Sequence, residues 1–151
     1  MSLQVEFTLD TATASQIAEH LMRCDGDFIP PLSSRTEIGN YASKVSVNAE
    51  RFEAWSAGAL VGLVAAYCND MTRGQAFITS VSVEPAFRRA GIGSELLARC
   101  IAHAARLGFA RIELEVDSAN DGAIDLYLKR GFVIRSAGDR IVVMSVETGR
   151  E

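Results

Sequence analysis

Apolar and polar residues alternate with two different periods along this chain, and each period predicts a different element. Strict alternation at 3–9 and 111–116 is typical of half-buried strands. The run 60–67 is apolar at almost every position, which predicts a strand that is covered on both faces. With 51–56 before it and a turn at Gly58, this run is predicted to form a β-hairpin.

Four other segments repeat apolar residues every three or four positions, the period of an amphipathic helix. The first helix is predicted to end at 25–26, and a capping box of Ser34 with Glu37 is expected to begin the second. The third helix is predicted from 94 to 108 and the fourth from 121 to 129. The apolar stripe of the first helix consists of Ile17, Ala18, Leu21 and Met22.

The order of these elements predicts the fold class. A strand at 75–83, the third helix and the strand at 111–116 form a crossover unit, which normally makes its two strands parallel. A final hairpin is predicted from 132–135 and 140–147. We therefore expect an α/β fold of the α+β type, with a mixed, mostly antiparallel sheet of about seven strands flanked by about four helices.

Composition and charge narrow the class of protein. The chain has 151 residues, 48% of them apolar, and a formal net charge of −4. This suits a single domain over 1–151, and the acidic balance argues against a nucleic-acid partner. We expect a cytoplasmic protein with no membrane partner, because no apolar run is long enough to cross a bilayer and no signal-peptide pattern is present. The three cysteines lack the spacing of a zinc site or a redox motif, so we expect them to pack in the interior and expect no metal site. His20 and His103 are expected at the surface.

A basic glycine-rich turn follows the strand at 75–83. The strand stops at Pro85, and Arg88-Arg89 leads into Gly91-Ile92-Gly93 just before the third helix. Glycine lets the backbone bend tightly and approach a ligand closely, and the first N–H groups of a helix have no partners within it. Together with the helix dipole and two arginines, these groups predict a site for a small molecule that carries a pyrophosphate.

This turn and a second block downstream resemble the GNAT superfamily of N-acetyltransferases. Residues 88–93 are similar to the family's Arg/Gln-x-x-Gly-x-Gly/Ala turn. The likeness is strongest from 78 to 132, and it implies the GNAT-like acyl-CoA N-acyltransferase fold. The downstream block is similar at Leu114-Glu115-Val116, Asn120, Ala123, Leu126-Tyr127 and Gly131-Phe132.

The resemblance implies acetyl-CoA as the cosubstrate and an amine as the acceptor. In the family, backbone groups of the strand before the turn pair with the pantetheine arm, and those of the turn hold the pyrophosphate. The implied pantetheine residues are Val81, Ser82 and Val83, and the implied pyrophosphate residues are Arg88, Arg89, Ala90, Gly91, Ile92, Gly93 and Ser94. Asn120 and Ala123 are further candidates for cofactor contact, although Asn120 is equally suited to be a helix N-cap. Many relatives are dimers, which makes a homodimer a candidate assembly.

Tyr127 and Glu115 are the predicted catalytic residues. The resemblance implies Tyr127 near the thioester sulfur, as hydrogen-bond donor or general acid, and Glu115 as a general base like that of the protein N-terminal acetyltransferases. A base is needed because an amine with a pKa of about 10.4 is protonated at neutral pH. Glu84 and a water molecule are the alternative bases. No Cys-His or Ser-His-Asp arrangement is visible in the sequence, which favours direct attack over an acyl-enzyme.

The acceptor is the part of the function that the sequence specifies least. In the family the first two helices and their connection commonly border it, and the apolar loop 28–32 falls there. We expect a small-molecule amine, such as an amino sugar or an antibiotic. A protein N-terminus or lysine is the first alternative, and a non-catalytic acyl-CoA-binding module is the second. Nearby polar candidates are Asp25, Asp27, Arg35, Tyr41, Lys44, Tyr67 and Asn69.

Overall fold

A computed structural model of the protein describes residues 4–69 and 74–149. Within these ranges the chain forms seven strands, four α-helices and three short 3-10 turns. The 3-10 turns are Asp25–Asp27, Leu32–Ser34 and Pro85–Phe87. The longer elements are β1 (Glu6–Leu9), α1 (Ala14–Cys24), α2 (Ile38–Asn48), β2 (Glu50–Ser56), β3 (Ala59–Tyr67), β4 (Gln75–Val83), α3 (Ile92–Leu107), β5 (Arg111–Asp117), α4 (Asp121–Lys129), β6 (Val133–Ala137) and β7 (Ile141–Glu147).

The strands form one sheet in the order β1-β2-β3-β4-β5-β7-β6. Every neighbouring pair is antiparallel except β4 and β5, which are parallel because the chain crosses from one to the other through α3. The predicted mixed, mostly antiparallel sheet and both predicted hairpins are therefore confirmed.

The helices cover the two faces of the sheet and bury two separate apolar clusters. On one face, α1 and α2 pack against β3 through residues such as Ile17, Val45 and Leu63. On the other face, α3 and α4 pack through residues such as Leu97 and Tyr127. β3 lies between the clusters and is buried from Leu60 to Ala66, as its apolar run predicts.

The start of α2 differs from the predicted capping box, which is wrong. Ser34 belongs to a 3-10 turn, and its hydroxyl donates to the carbonyl of Pro31 at 2.6 Å. Glu37 is itself the N-cap, and its carboxylate accepts the N–H of Asn40 at 3.0 Å. The prolines hold the preceding chain in extended and turn conformations, so the helix begins later than the pattern predicts.

The two histidines are predicted at the surface; this prediction is wrong for His20, and His103 is only partly exposed. His20 is fully buried because it shares the inner face of α1 with Ile17, Leu21 and Cys24, at spacings of three, one and four residues. The His103 side chain is 16% exposed, and its Nε2 lies 3.0 Å from a carboxylate oxygen of Glu50.

A buried charge pair anchors the start of α1 to β2. The Glu53 side chain is fully buried, and its carboxylate accepts hydrogen bonds from the hydroxyls of Thr8 and Thr11 and from the N–H groups of Thr11 and Ala12. Arg51 Nε lies 3.5 Å from the same carboxylate. These contacts compensate the carboxylate for the water it loses on burial.

Candidate active site

The parallel strands β4 and β5 separate along their length and leave a gap in the sheet. Ladder pairs join 75–77 of β4 to 111–113 of β5, and none joins 78–83 to 114–117. β4 remains paired with β3 up to Val83, and β5 remains paired with β7 throughout. The backbone groups of β4 that point away from β3 are therefore open to a ligand.

A β-bulge at Thr79 lies where this gap opens. The register between β3 and β4 shifts between Ala65 and Ala66, which leaves Thr79 as the extra residue. The Tyr41 hydroxyl on α2 donates to the carbonyl of Thr79 at 3.1 Å and lies 2.8 Å from its Oγ1. Because a bulge bends and twists its strand, the contact from Tyr41 helps to hold β4 apart from β5.

The glycine turn presents a run of backbone donors. Arg89 and Gly91 have φ values of 67° and 78°, and α3 begins at the next residue, Ile92. Within the described chain, the N–H groups of 89–94 have no hydrogen-bond partner, whereas the N–H of Arg88 donates to Pro85 at 3.3 Å. A Cβ on Gly91 would meet no atom within 4 Å. This run at a helix N-terminus suits the oxygens of a phosphate group.

Two side chains of the turn are held by neighbours. Arg88 Nη2 lies 2.9 Å from Asp27 Oδ2, and its Nε donates to the carbonyl of Val83 at 3.4 Å. The Ser94 hydroxyl accepts from Arg130 Nε at 2.5 Å, so its N–H is the group available to a ligand. The Arg89 side chain is exposed and has no polar partner among the described residues.

Tyr127 lies on α4, which packs directly against the start of α3. A Cβ on Gly93 would lie 3.2 Å from Leu126, the residue before Tyr127. Tyr127 is 7% exposed, and its ring centroid lies 5.8 Å from that of Phe132. Its hydroxyl has no hydrogen-bond partner in the described part of the chain. Burial raises the pKa of this phenol, so it stays protonated at neutral pH and is available as a donor.

Asn120 caps the helix that carries Tyr127. Its Oδ1 accepts the N–H of Ala123 at 3.2 Å, so the N-cap role that the sequence left open is present. Ala123 is partly buried against the cluster on the α3 face. Both residues thus set the position of Tyr127 through the first turn of α4.

The two candidate bases have different surroundings. Leu114 and Val116 of β5 face the α3 cluster, so Glu115 points to the opposite face of the sheet from Tyr127. Glu115 is exposed and has no partner among the described residues, which leaves it available. The alternative base, Glu84, is 18% exposed and pairs with Arg23 at 3.1 Å.

The structure brings together a serine and a histidine that are far apart in the sequence. Ser82 on β4 points to α1, where its hydroxyl lies 2.8 Å from His20 Nε2. His20 Nδ1 lies 3.0 Å from the carbonyl of Leu60, which requires a proton on Nδ1 and leaves Nε2 to accept from Ser82. Burial raises the pKa of the nearby Cys24 thiol to about 11, so this thiol stays protonated at neutral pH. No pattern in the local sequence indicates this pairing, although the spacing of His20 from Ile17 and Cys24, at three and four residues, is that of one helix face.

The acceptor-side candidates are scattered rather than gathered into one group. Asp25 is occupied by the N–H and hydroxyl of Ser33, at 2.7 and 2.6 Å. In the apolar loop Leu32 is buried and Ile29 is 44% exposed. Tyr41 reaches the gap at Thr79. The remaining candidates differ in exposure, with Tyr67 half-buried and Arg35, Lys44 and Asn69 exposed.

Comparison with known proteins identifies the family. Residues 14–132 match the family model described as Acetyltransferase (GNAT) family, which covers more than half of the chain, so the chain belongs to this family. Over 79 residues it is 39% identical to an uncharacterized N-acetyltransferase of Methanocaldococcus jannaschii, a match to 50% of this chain and 35% of that protein.

Two solved structures show the same fold. The ribosomal-protein-S18-alanine N-acetyltransferase of Escherichia coli superposes with a TM-score of 0.77 at 19% identity, over 98% of this chain and 96% of that one. The PaiA N-acetyltransferase of Thermoplasma acidophilum, solved with coenzyme A, gives a TM-score of 0.75 at 15% identity, over 96% and 99%. The expected GNAT-like fold is therefore confirmed.

Two further properties concern metals and membranes. Within residues 4–69 and 74–149, no group of three or more His, Cys, Asp or Glu side chains is arranged to hold a metal ion. In the same ranges no helix has both the length and the apolarity that a membrane span requires.

Proposed function

We propose that this protein, as a single domain over 1–151, transfers an acetyl group from acetyl-CoA to a primary amine by direct attack. The observation that carries the proposal is the run of free N–H groups at 89–94, which lies at the end of the open edge of β4. Such a run fits a pyrophosphate, and the open edge fits the amide-containing pantetheine arm. Val81, Ser82 and Val83 supply the backbone of that edge.

In the proposed reaction, Tyr127 and Glu115 act from opposite faces of the gap. The amine nitrogen attacks the thioester carbonyl, a C–N bond forms, and the C–S bond breaks. Glu115, directly or through water, takes the proton that the amine must lose. Tyr127 donates a hydrogen bond or its proton to the departing sulfur. A thiol has an ordinary pKa of about 8.5, so the sulfur needs limited help to leave.

We propose a small-molecule amine as the acceptor. Glu113 and Glu115 point to the same face of β5 and support an amine acceptor, because they favour a cation there. A protein N-terminus or lysine is the alternative acceptor. A cytoplasmic location and a homodimer stay predictions.

A panel of amines tests both the reaction and the acceptor class. Release of free thiol from acetyl-CoA would be followed with diamines, amino sugars, a peptide with a free N-terminus and a lysine peptide with a blocked one. We expect release with the small amines. Release confined to the peptides would contradict the proposed acceptor. Tight coenzyme A binding with no release on any amine would indicate a non-catalytic binding module.

The donor site is tested by Gly91→Asp, which places a strained residue and an anion where the pyrophosphate is proposed to lie. We expect coenzyme A affinity to fall by at least about ten-fold, measured by calorimetry. Gly58→Asp is the matched control, because Gly58 also has a positive φ of 79° and free space around it, but lies in the β2–β3 turn. Equal affinities of the two folded variants would overturn the proposed donor site.

A further inference from the structure

Three side chains on one side of α1 and the turn after it contact the segment that joins β4 to the glycine turn. His20 contacts Ser82 at 2.8 Å, and Arg23 contacts Glu84 at 3.1 Å. The last contact is the 2.9 Å pair of Asp27 with Arg88. His20 and Arg23 are three residues apart on one face of α1, and Asp27 lies in the 3-10 turn that follows, so the segment 82–88 is held at three points.

These three contacts differ in their exposure to solvent, and so in how easily each can break. His20 and Ser82 are both buried, and in the second pair the side chains of Arg23 and Glu84 are 38% and 18% exposed. The side chains of Asp27 and Arg88 are 36% and 48% exposed. The inner contacts therefore hold the segment in place, while the outer pair can open in solution at little cost.

The outer pair lies beside the proposed pyrophosphate site. Arg88 is the residue before the run of free N–H groups at 89–94. Its Nε donates to Val83 and its Nη2 lies beside the Asp27 carboxylate, so the guanidinium is already engaged by an anion. A carboxylate and a phosphate use the same donors of a guanidinium, and two anions at one place repel each other.

We propose that Asp27 sets the affinity of the donor site by competing with the pyrophosphate for Arg88. Asp27 is then a specificity-determining residue for ligands with a pyrophosphate, and its carboxylate favours release of the coenzyme A product. This inference rests on the proposed function, because it requires the pyrophosphate to lie at the glycine turn.

Asp27→Asn tests the proposal, because asparagine keeps the size of the side chain and removes its charge. Binding of coenzyme A and of S-acetylpantetheine, which lacks the pyrophosphate, would be measured by calorimetry at low and high salt. We expect coenzyme A affinity to rise about three- to five-fold at low salt and the rise to shrink at high salt. S-acetylpantetheine affinity is expected to stay unchanged.

Two further variants show whether the effect passes through Arg88. Glu147→Gln is the control, because it removes the same charge from a comparable ion pair, that of Glu147 with Arg111 at 3.1 Å. This ion pair lies where β4 and β5 are still joined, at the end away from the glycine turn, so coenzyme A affinity should stay unchanged. In an Arg88→Ala background, Asp27→Asn should no longer raise the affinity. A rise that persists there, or an equal rise in Glu147→Gln, would overturn the proposal.

The outcomes separate this inference from the proposed function. One outcome is that coenzyme A binds the wild type, that binding is lost in Gly91→Asp, and that the affinity of Asp27→Asn equals that of the wild type. This outcome would overturn the role of Asp27 and leave the donor site intact. Absence of coenzyme A binding to the wild type would overturn both.

Discussion

The imidazole of His20 on α1 lies 2.8 Å from the hydroxyl of Ser82 on β4, the strand that borders the gap. The ring is fully buried, its Nδ1 bonds to the carbonyl of Leu60, and burial lowers its pKa from 6.5 to about 4. The folded protein therefore holds this histidine neutral across the physiological range, as the hydrogen bond from Ser82 requires.

The first prediction is a loss of stability in mild acid. Between pH 6.5 and about 4 the unfolded chain binds a proton at His20 that the folded chain does not bind. The stability due to neutral His20 is complete above pH 6.5 and falls as the pH drops toward 4, by about 3 kcal/mol in all. Urea unfolding at pH 7 and pH 4.5 measures the loss. In His20→Gln, which cannot titrate, the same pH change should cost less, and an unchanged pH dependence would contradict the assignment.

The second prediction concerns the unpaired hydroxyl of Tyr127. Tyr127→Phe keeps the ring that packs on Phe132 and removes only the donor. Turnover is expected to fall about ten-fold or more, with coenzyme A affinity nearly intact, because the donor acts on the leaving sulfur. Steady-state rates and calorimetry on the same preparation measure the two effects. Wild-type turnover in this variant would remove the acid role.

The third prediction separates the candidate bases. Glu115→Gln is expected to lower turnover by about a hundred-fold and to abolish the limb of the pH–rate profile that rises with pH. Glu113→Gln is the matched control for the pH profile, because Glu113 points to the same face of the same strand, and it should keep the rising limb even if the acceptor binds more weakly. If the rising limb survives in Glu115→Gln and disappears in Glu84→Gln, the base is Glu84.

The fourth prediction concerns stability away from the gap. Glu53→Gln replaces a buried carboxylate that accepts hydrogen bonds from Thr8, Thr11 and Ala12 and faces Arg51. Removing this charge weakens those hydrogen bonds and leaves Arg51 with the part-exposed Asp10, at 3.6 Å, as its remaining carboxylate, so the free energy of unfolding should fall by about 3 kcal/mol. Glu147→Gln, at an exposed pair, should change it by less than about 0.5 kcal/mol. Urea midpoints of the two variants provide the comparison, and similar midpoints would show that the buried pair contributes little.

Much of the fold is readable from the sequence because the informative patterns are local. The apolar run of β3 predicts a central strand, and the crossover through α3 predicts the one parallel pair. The errors are also local in origin. The Ser34 and Glu37 pattern matches a capping box but competes with the turn that the prolines impose. His20 has the spacing of a buried position, and its polarity suggests the opposite.

The sequence by itself determined the order of the elements and the glycine turn of the candidate site, because hydrophobic period, glycine and proline act on the residues beside them. Only the tertiary structure decided how β4 and β5 separate, since that depends on the bulge at Thr79 and its contact with Tyr41, 38 positions away. It also decided the pairing of His20 with Ser82 and of Asp27 with Arg88. Such contacts form when packing brings distant segments together, so no local pattern carries them.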